Sequence, residues 1–105
     1  MPSTPRRDGW QWTDTVLAGA TSDPLYMPER DHHKPATVGV SPGAGGTALV
    51  EYSLSSRAEV EAGTARWRPW PFGEVFSDTD DVLDGQVTAL RMTAKTASAD
   101  WEVLV

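Results

Sequence analysis

The stretch Thr47-Ala48-Leu49-Val50-Glu51-Tyr52-Ser53-Leu54 (residues 47–54) has the side-chain alternation of a β-strand. Successive side chains of a strand point to opposite faces of a sheet. One face of this stretch is consistently apolar and carries Ala48, Val50, Tyr52 and Leu54. A single apolar face is typical of an antiparallel sheet that is solvated on its other side. The stretch therefore predicts a half-buried antiparallel strand.

Similar short runs of strand-forming residues continue to the end of the chain. They are separated by turn or loop signals at a spacing of roughly 8–12 residues, which is typical of all-β domains. The predicted fold is all-β, a small antiparallel β-sandwich or barrel-like domain. The further predicted strands are 37–40, 64–68, 74–76, 86–94 and 100–105, with a Gly-rich hairpin turn at 41–46, a break at 69–73 and an acidic loop at 77–85.

One short helix is predicted between the strands, within residues 55–62. Ser56 is placed to be its N-cap, and Glu59 follows three residues later, as in a capping box. Gly63 provides a stop signal. At one or two turns this helix is a connector between strands.

The first third of the chain differs in composition from the rest. Residues 1–36 contain five of the eight prolines and show no long strand or helix period. We predict an extended, Pro-rich N-terminal arm at 1–36 and a β-sandwich domain at 37–105. A free, solvated tail would not normally keep so many apolar side chains. Either the arm docks on another molecule, or it packs on its own domain as edge strands.

Composition and charge exclude several classes of function. The chain has 105 residues, no cysteine and a net charge of −6. Its acidic character argues against nucleic acid as a partner, because neutralising phosphates requires a basic face. The lack of cysteine excludes disulfides and thiolate metal ligands. No apolar run approaches the roughly 18 residues of a membrane span, and residues 8–12 do not form the apolar core of a signal peptide.

The sequence predicts no catalytic set, no metal site and no cofactor. Residues 78–85 are acidic, but Val82 and Leu83 occupy positions where an EF-hand loop needs an acid and a glycine, so a solvated loop is expected. His32 and His33 lack further ligands at zinc spacing. Residues 43–46 lack the Lys and Ser/Thr of a phosphate-binding loop.

The most distinctive segment is Arg66-Trp67-Arg68-Pro69-Trp70-Pro71-Phe72-Gly73. Exposed tryptophan beside arginine can stack on sugars or on a partner's side chains, whereas buried tryptophan would fill the core. We predict that Trp67 points inward and that Trp70 lies nearer the rim. The candidate interface residues are Trp10, Trp12, Leu25, Tyr26, Met27, Trp70 and Phe72.

Three segments carry a family resemblance: PGAGGTALVEYS (residues 42–53), AGTARWRPWPFGEV (62–75) and DGQVTALRMTA (84–94). Together they resemble small virion structural proteins of tailed bacteriophages. The resemblance covers roughly residues 38–105 and leaves the arm unmatched. It implies a β-sandwich on the capsid exterior, assembled in the host cytoplasm. It further implies a head decoration, or cement, protein that is often a homotrimer and binds the major capsid protein to stabilise the head.

Two alternatives to capsid decoration remain. The first is a tail or head–tail connector component with the same β domain. The second is a carbohydrate-binding module in which Trp67, Trp70 and Phe72 form a stacking platform. Both are binding functions, and neither requires an enzyme.

Overall fold

A computed structural model describes residues 3–6, 9–27, 36–83 and 87–104, and for residues 3–6, 9 and 10 it describes the backbone alone. These residues form nine strands and one helix. In chain order they are β1 (Ser3–Arg6), β2 (Gly9–Val16), β3 (Leu25–Tyr26), β4 (Ala36–Pro42), β5 (Thr47–Ser53), α1 (Arg57–Ala62), β6 (Arg68–Val75), β7 (Thr79–Leu83), β8 (Ala89–Lys95) and β9 (Ala99–Leu104).

The strands form two antiparallel sheets that pack around one core. The larger sheet has five strands in the order β1-β2-β9-β4-β7, and the smaller has four in the order β3-β8-β5-β6. Both sheets turn alternate apolar side chains inward, as Trp101 and Val103 show in β9 between exposed Asp100, Glu102 and Leu104. The predicted all-β sandwich is confirmed. No helix in the described residues has the length and apolar character needed to span a membrane.

The predicted helix and hairpin turn are both present. Ser56 caps α1, and its side chain forms a reciprocal capping box with Glu59. Gly63 ends the helix in the left-handed conformation, with φ of 79°. In the turn between β4 and β5, a Cβ added at Gly46 would lie 2.7 Å from the Cβ of Ala97, so this position requires glycine.

The segment predicted as an arm belongs to the sandwich. β2 pairs with β9 along six residues of each strand, and β3 pairs with β8. Trp12, Val16 and Leu25 lie in the same core as the later strands. Of the two alternatives for residues 1–36, the structure shows packing on the chain's own domain. The predicted boundary at residue 36 therefore does not separate two structural units. The reason is that β2 covers one side of β9, which would otherwise expose unpaired backbone groups.

Two segments predicted as irregular are edge strands. Residues 69–73 lie within β6 at one edge of the four-stranded sheet, and residues 79–83 form β7 at one edge of the five-stranded sheet. Prolines are tolerated at a sheet edge because their missing N–H faces solvent there. Proline and aspartate therefore led to a wrong prediction of irregular structure, because here they lie in strands at the edges of the two sheets.

The end of β5 departs from the predicted alternation. Ala48 and Val50 are buried as expected, but Leu54 is 56% exposed and the buried residue is Ser53. Tyr52 is only partly buried. The register with β6 shifts between Leu49 and Glu51, and such an irregularity changes which side chains face the core.

Candidate interface at the β6 border

The predicted interface residues separate into three groups in the structure. Trp12, Leu25 and Trp70 are buried in the core, so the prediction that they present side chains for docking is wrong. Tyr26 and Met27 are partly buried. Phe72 is 52% exposed, and the side chain of Trp10 lies outside the described part of the chain.

The orientation predicted for the two tryptophans of the 66–73 segment is also wrong. Trp70 is 1% exposed, whereas Trp67 is only half-buried. Opposite Val50, β6 makes a large bulge. Leu49 pairs with Glu74 and Glu51 pairs with Pro69, so residues 70–73 stand opposite one residue. This extra length lets Trp70 turn into the core, which a strictly regular strand does not predict.

Trp70 anchors the bulge that exposes Phe72. Its indole N–H donates a hydrogen bond of 2.7 Å to the Gly73 carbonyl oxygen. Gly73 has φ of 61°, a left-handed conformation that favours glycine. The rings of Trp70 and Phe72 meet edge to face, with centroids 5.6 Å apart and an interplanar angle of 81°. Phe72 is therefore held at the surface by a buried neighbour, so little side-chain freedom remains to be lost on binding.

The exposed aromatic surface extends past the end of β6. Phe76, just beyond the strand, is 77% exposed, and Pro69 and Pro71 are exposed as well. The exposed residues on and beside this strand form what we call the β6 border: Arg66, Arg68, Pro69, Pro71, Phe72 and Phe76. Because proline has no N–H to donate, the two prolines disfavour addition of another strand at this edge. The β6 border is suited to contact through side chains.

Trp67 lies on the outer face of the four-stranded sheet beneath an ion pair. The Arg91 guanidinium carbon is 4.3 Å from the centroid of the Trp67 ring, and Arg91 Nε is 3.0 Å from Glu51 Oε1. One face of Trp67 is thus covered by arginine. With Trp70 buried, Phe72 is the one ring of the predicted three-ring platform that stands largely free.

The opposite sheet carries an acidic depression on its outer face. Its volume is ≈ 780 Å³, and Asp80, Asp100 and Glu102 line it around Gly39. Glu102 and Asp80 flank Gly39 from the two neighbouring strands, so the missing side chain leaves the centre open. Among the described residues, no three His, Cys, Asp or Glu side chains are placed so that they could hold a metal ion together. His32 and His33 lie outside them.

Comparisons with known proteins add no family or fold assignment. No family model matches the chain, and neither a curated protein nor a solved structure is significantly similar to it.

Phe72 was among the predicted interface residues, whereas Phe76, Arg66 and Arg68 were not. Phe76 directly follows an apolar inward residue, Val75, and strand alternation alone places it outward. Arg66 and Arg68 alternate with Trp67 in the same way. These outward positions follow from strand alternation on either side of the bulge, once residues 66–76 are assigned to a sheet edge.

Proposed function

We propose that this chain is a structural virion protein of a tailed bacteriophage, a decoration protein that binds the outside of the major capsid lattice and stabilises the head. The observation that carries the proposal is the β6 border, where Phe72 and Phe76 are 52% and 77% exposed beside two prolines. Aromatic residues, phenylalanine included, are enriched at protein interfaces relative to the rest of the surface. The resemblance of residues 38–105 to small virion structural proteins supports the major capsid protein as the partner.

The fold supports this proposal. A lattice offers many copies of one contact, and linked weak contacts reinforce one another through effective concentration. A rigid β-sandwich with a pre-oriented aromatic edge suits repeated docking, because rigidity lowers the entropy lost at each contact. The net charge of −6 favours solubility before assembly.

The proposal is tested by co-sedimentation with expanded heads prepared without the chain. We expect binding to saturate at a fixed ratio to the major capsid protein. The double variant Phe72→Ser/Phe76→Ser should weaken binding about tenfold or more, since interface aromatics often cost above 1 kcal/mol each when truncated. The matched control is Leu17→Ser, which removes a side chain 70% exposed in the turn after β2.

Two other outcomes point to the alternatives. Saturation at a few copies per particle would move the chain to the tail or the head–tail connector. Absence of binding to heads would contradict capsid decoration altogether, and titration of host glycans against tryptophan fluorescence would follow. The burial of Trp70 disfavours the carbohydrate alternative, because it removes one ring from the stacking platform.

A further inference from the structure

The charged side chains are segregated between the two layers of the sandwich. On β2, β9, β4, β7 and the loop entering β7, every described ionisable side chain is an acid: Asp14, Asp78, Asp80, Asp81, Asp100 and Glu102. The remaining strand of this sheet, β1, ends at Arg6. All five described basic side chains belong to the other layer and its connections, namely Arg57, Arg66, Arg68, Arg91 and Lys95. Five acids accompany them there, Asp23, Glu51, Glu59, Glu61 and Glu74, so that layer carries no net charge among its described side chains.

Most of these basic side chains are already neutralised within the layer. Arg57 pairs with Glu61, Arg91 with Glu51 and Lys95 with Glu74. Arg66 and Arg68 are exposed and make no ion pair with any described residue. They precede Phe72 by six and four positions on or beside the same edge strand. Among the described side chains, the two basic groups without an ion pair thus both lie at the β6 border.

From this arrangement we propose that the β6 border binds an acidic, partly apolar surface of a partner protein, with the five-stranded sheet facing away from it. The inference rests on the proposed function and specifies the chemistry and orientation of that contact. Charge complementarity selects the occupant, because an acidic partner attracts Arg66 and Arg68 and repels the acidic sheet. Symmetric pairing of two β6 borders is disfavoured, because Arg66 and Arg68 of one copy would then face the same arginines of the other.

Arginine and phenylalanine have complementary roles in such a contact. The guanidinium group can bond a carboxylate through two parallel hydrogen bonds. Phe72 and the two prolines exclude water around that pair, which strengthens its electrostatic attraction. The acidic sheet supplies the orientation, because like charges brought close together oppose the reversed docking.

The test compares three variants with the wild-type chain for binding to heads that lack it, at low and high ionic strength. Arg66→Ser/Arg68→Ser should raise the half-saturation concentration about tenfold, because arginine is enriched among interface hot spots. Arg66→Lys/Arg68→Lys, which keeps the charge, should recover part of that loss. Asp80→Asn/Glu102→Gln, the matched control on the opposite sheet, should bind as well as the wild type or more tightly. Circular dichroism verifies that each variant is folded.

Each outcome decides a separate point. Three results together support the inference. Wild-type binding weakens as salt is raised, the Arg66→Ser/Arg68→Ser variant binds more weakly than the wild type, and the Asp80→Asn/Glu102→Gln variant does not. If the folded Arg66→Ser/Arg68→Ser variant binds heads as tightly as the wild type, the inference is wrong and the proposal of capsid decoration is unaffected. Loss of binding in the acidic variant instead overturns the proposed orientation. Failure of the wild type to bind heads overturns the proposed function and this inference with it.

Discussion

At the scale of single residues, two buried tryptophans have contrasting polar environments. Trp70 is 1% exposed and its N–H is hydrogen-bonded to Gly73. Trp101 is 3% exposed, and its Nε1 has no hydrogen-bond partner among the described residues. A buried donor without a partner destabilises a fold, whereas a bonded one stabilises it modestly. Both rings fill the same core, but the N–H group of Trp70 stabilises the fold whereas that of Trp101 destabilises it.

Replacing each of these tryptophans by phenylalanine separates the two contributions. Both changes remove a similar ring area, but Trp70→Phe also breaks a hydrogen bond, while Trp101→Phe removes an unpaired donor. We expect Trp70→Phe to lower the free energy of unfolding by about 1–3 kcal/mol more than Trp101→Phe does. Urea unfolding followed by circular dichroism measures both values. Equal losses would contradict the expected difference between the bonded N–H of Trp70 and the unpaired N–H of Trp101.

Sequence reasoning at this scale succeeded where strand alternation was regular and failed at the bulge. Strand alternation in the predicted strand 100–105 places Trp101 and Val103 on one face, and both are buried in β9. Trp67 and Trp70 were placed the wrong way round, because residues 70–73 stand opposite Val50 alone. The insertion depends on pairing with β5, and no local pattern in β6 encodes it.

At the scale of elements, α1 is specified almost entirely by local signals. Its N-cap, its capping box and its glycine stop were all legible in the sequence and are all present. Val60 is its buried residue, and it lies outside the main core cluster. The caps therefore matter more here than they do in a helix with a broad buried face.

Removing the N-cap should loosen α1 without unfolding the sandwich. Ser56→Ala is expected to destabilise the helix by about 1 kcal/mol, which corresponds to a roughly fivefold loss of amide protection. Hydrogen exchange at Gly63 and Thr64 reports this directly, because their amides bond to carbonyls of α1. The control is Ala58→Ser, an exposed change within the helix. Unchanged exchange in Ser56→Ala would contradict the role of the cap.

The edge strands show what local signals leave out. β6 and β7 were predicted as a break and a loop because of their prolines and aspartates. In β7 the Asp81 carboxylate accepts a hydrogen bond from the Val82 N–H at 2.8 Å. Residues that discourage a strand in isolation also protect a strand at an edge. Their meaning depends on position in the sheet, so the border site could not be located from the sequence alone.

At the scale of the whole molecule, the N-terminal strands complete the sandwich. A chain beginning at Gly9 lacks β1 and should remain folded, because β2 keeps its pairing with β9. A chain beginning at Ala36 also loses the buried Trp12, Val16 and Leu25. Each such side chain contributes about 1.5–3 kcal/mol or more, and a domain is stable by only about 5–15 kcal/mol. We expect the shorter fragment to be unfolded by circular dichroism.

This expectation changes how an N-terminal deletion is interpreted. Loss of capsid binding after removing residues 1–35 would follow from unfolding and would not identify a docking arm. A cooperative thermal transition in the chain beginning at Ala36 would contradict the structure, since it would make β2 and β3 dispensable. The chain beginning at Gly9 is the control that separates truncation from loss of the core.

The position of β9 has a further consequence, which concerns exchange between molecules. β9 lies between β2 and β4, and it follows β8 through a tight turn in which Thr96 has φ of 65°. A positive φ is strained for a β-branched residue, and opening the turn into an extended hinge would relieve that strain. The vacated slot would then accept β9 of a neighbouring molecule. Domain swapping through residues 95–98 is thus the mode of self-association that this topology favours at high concentration.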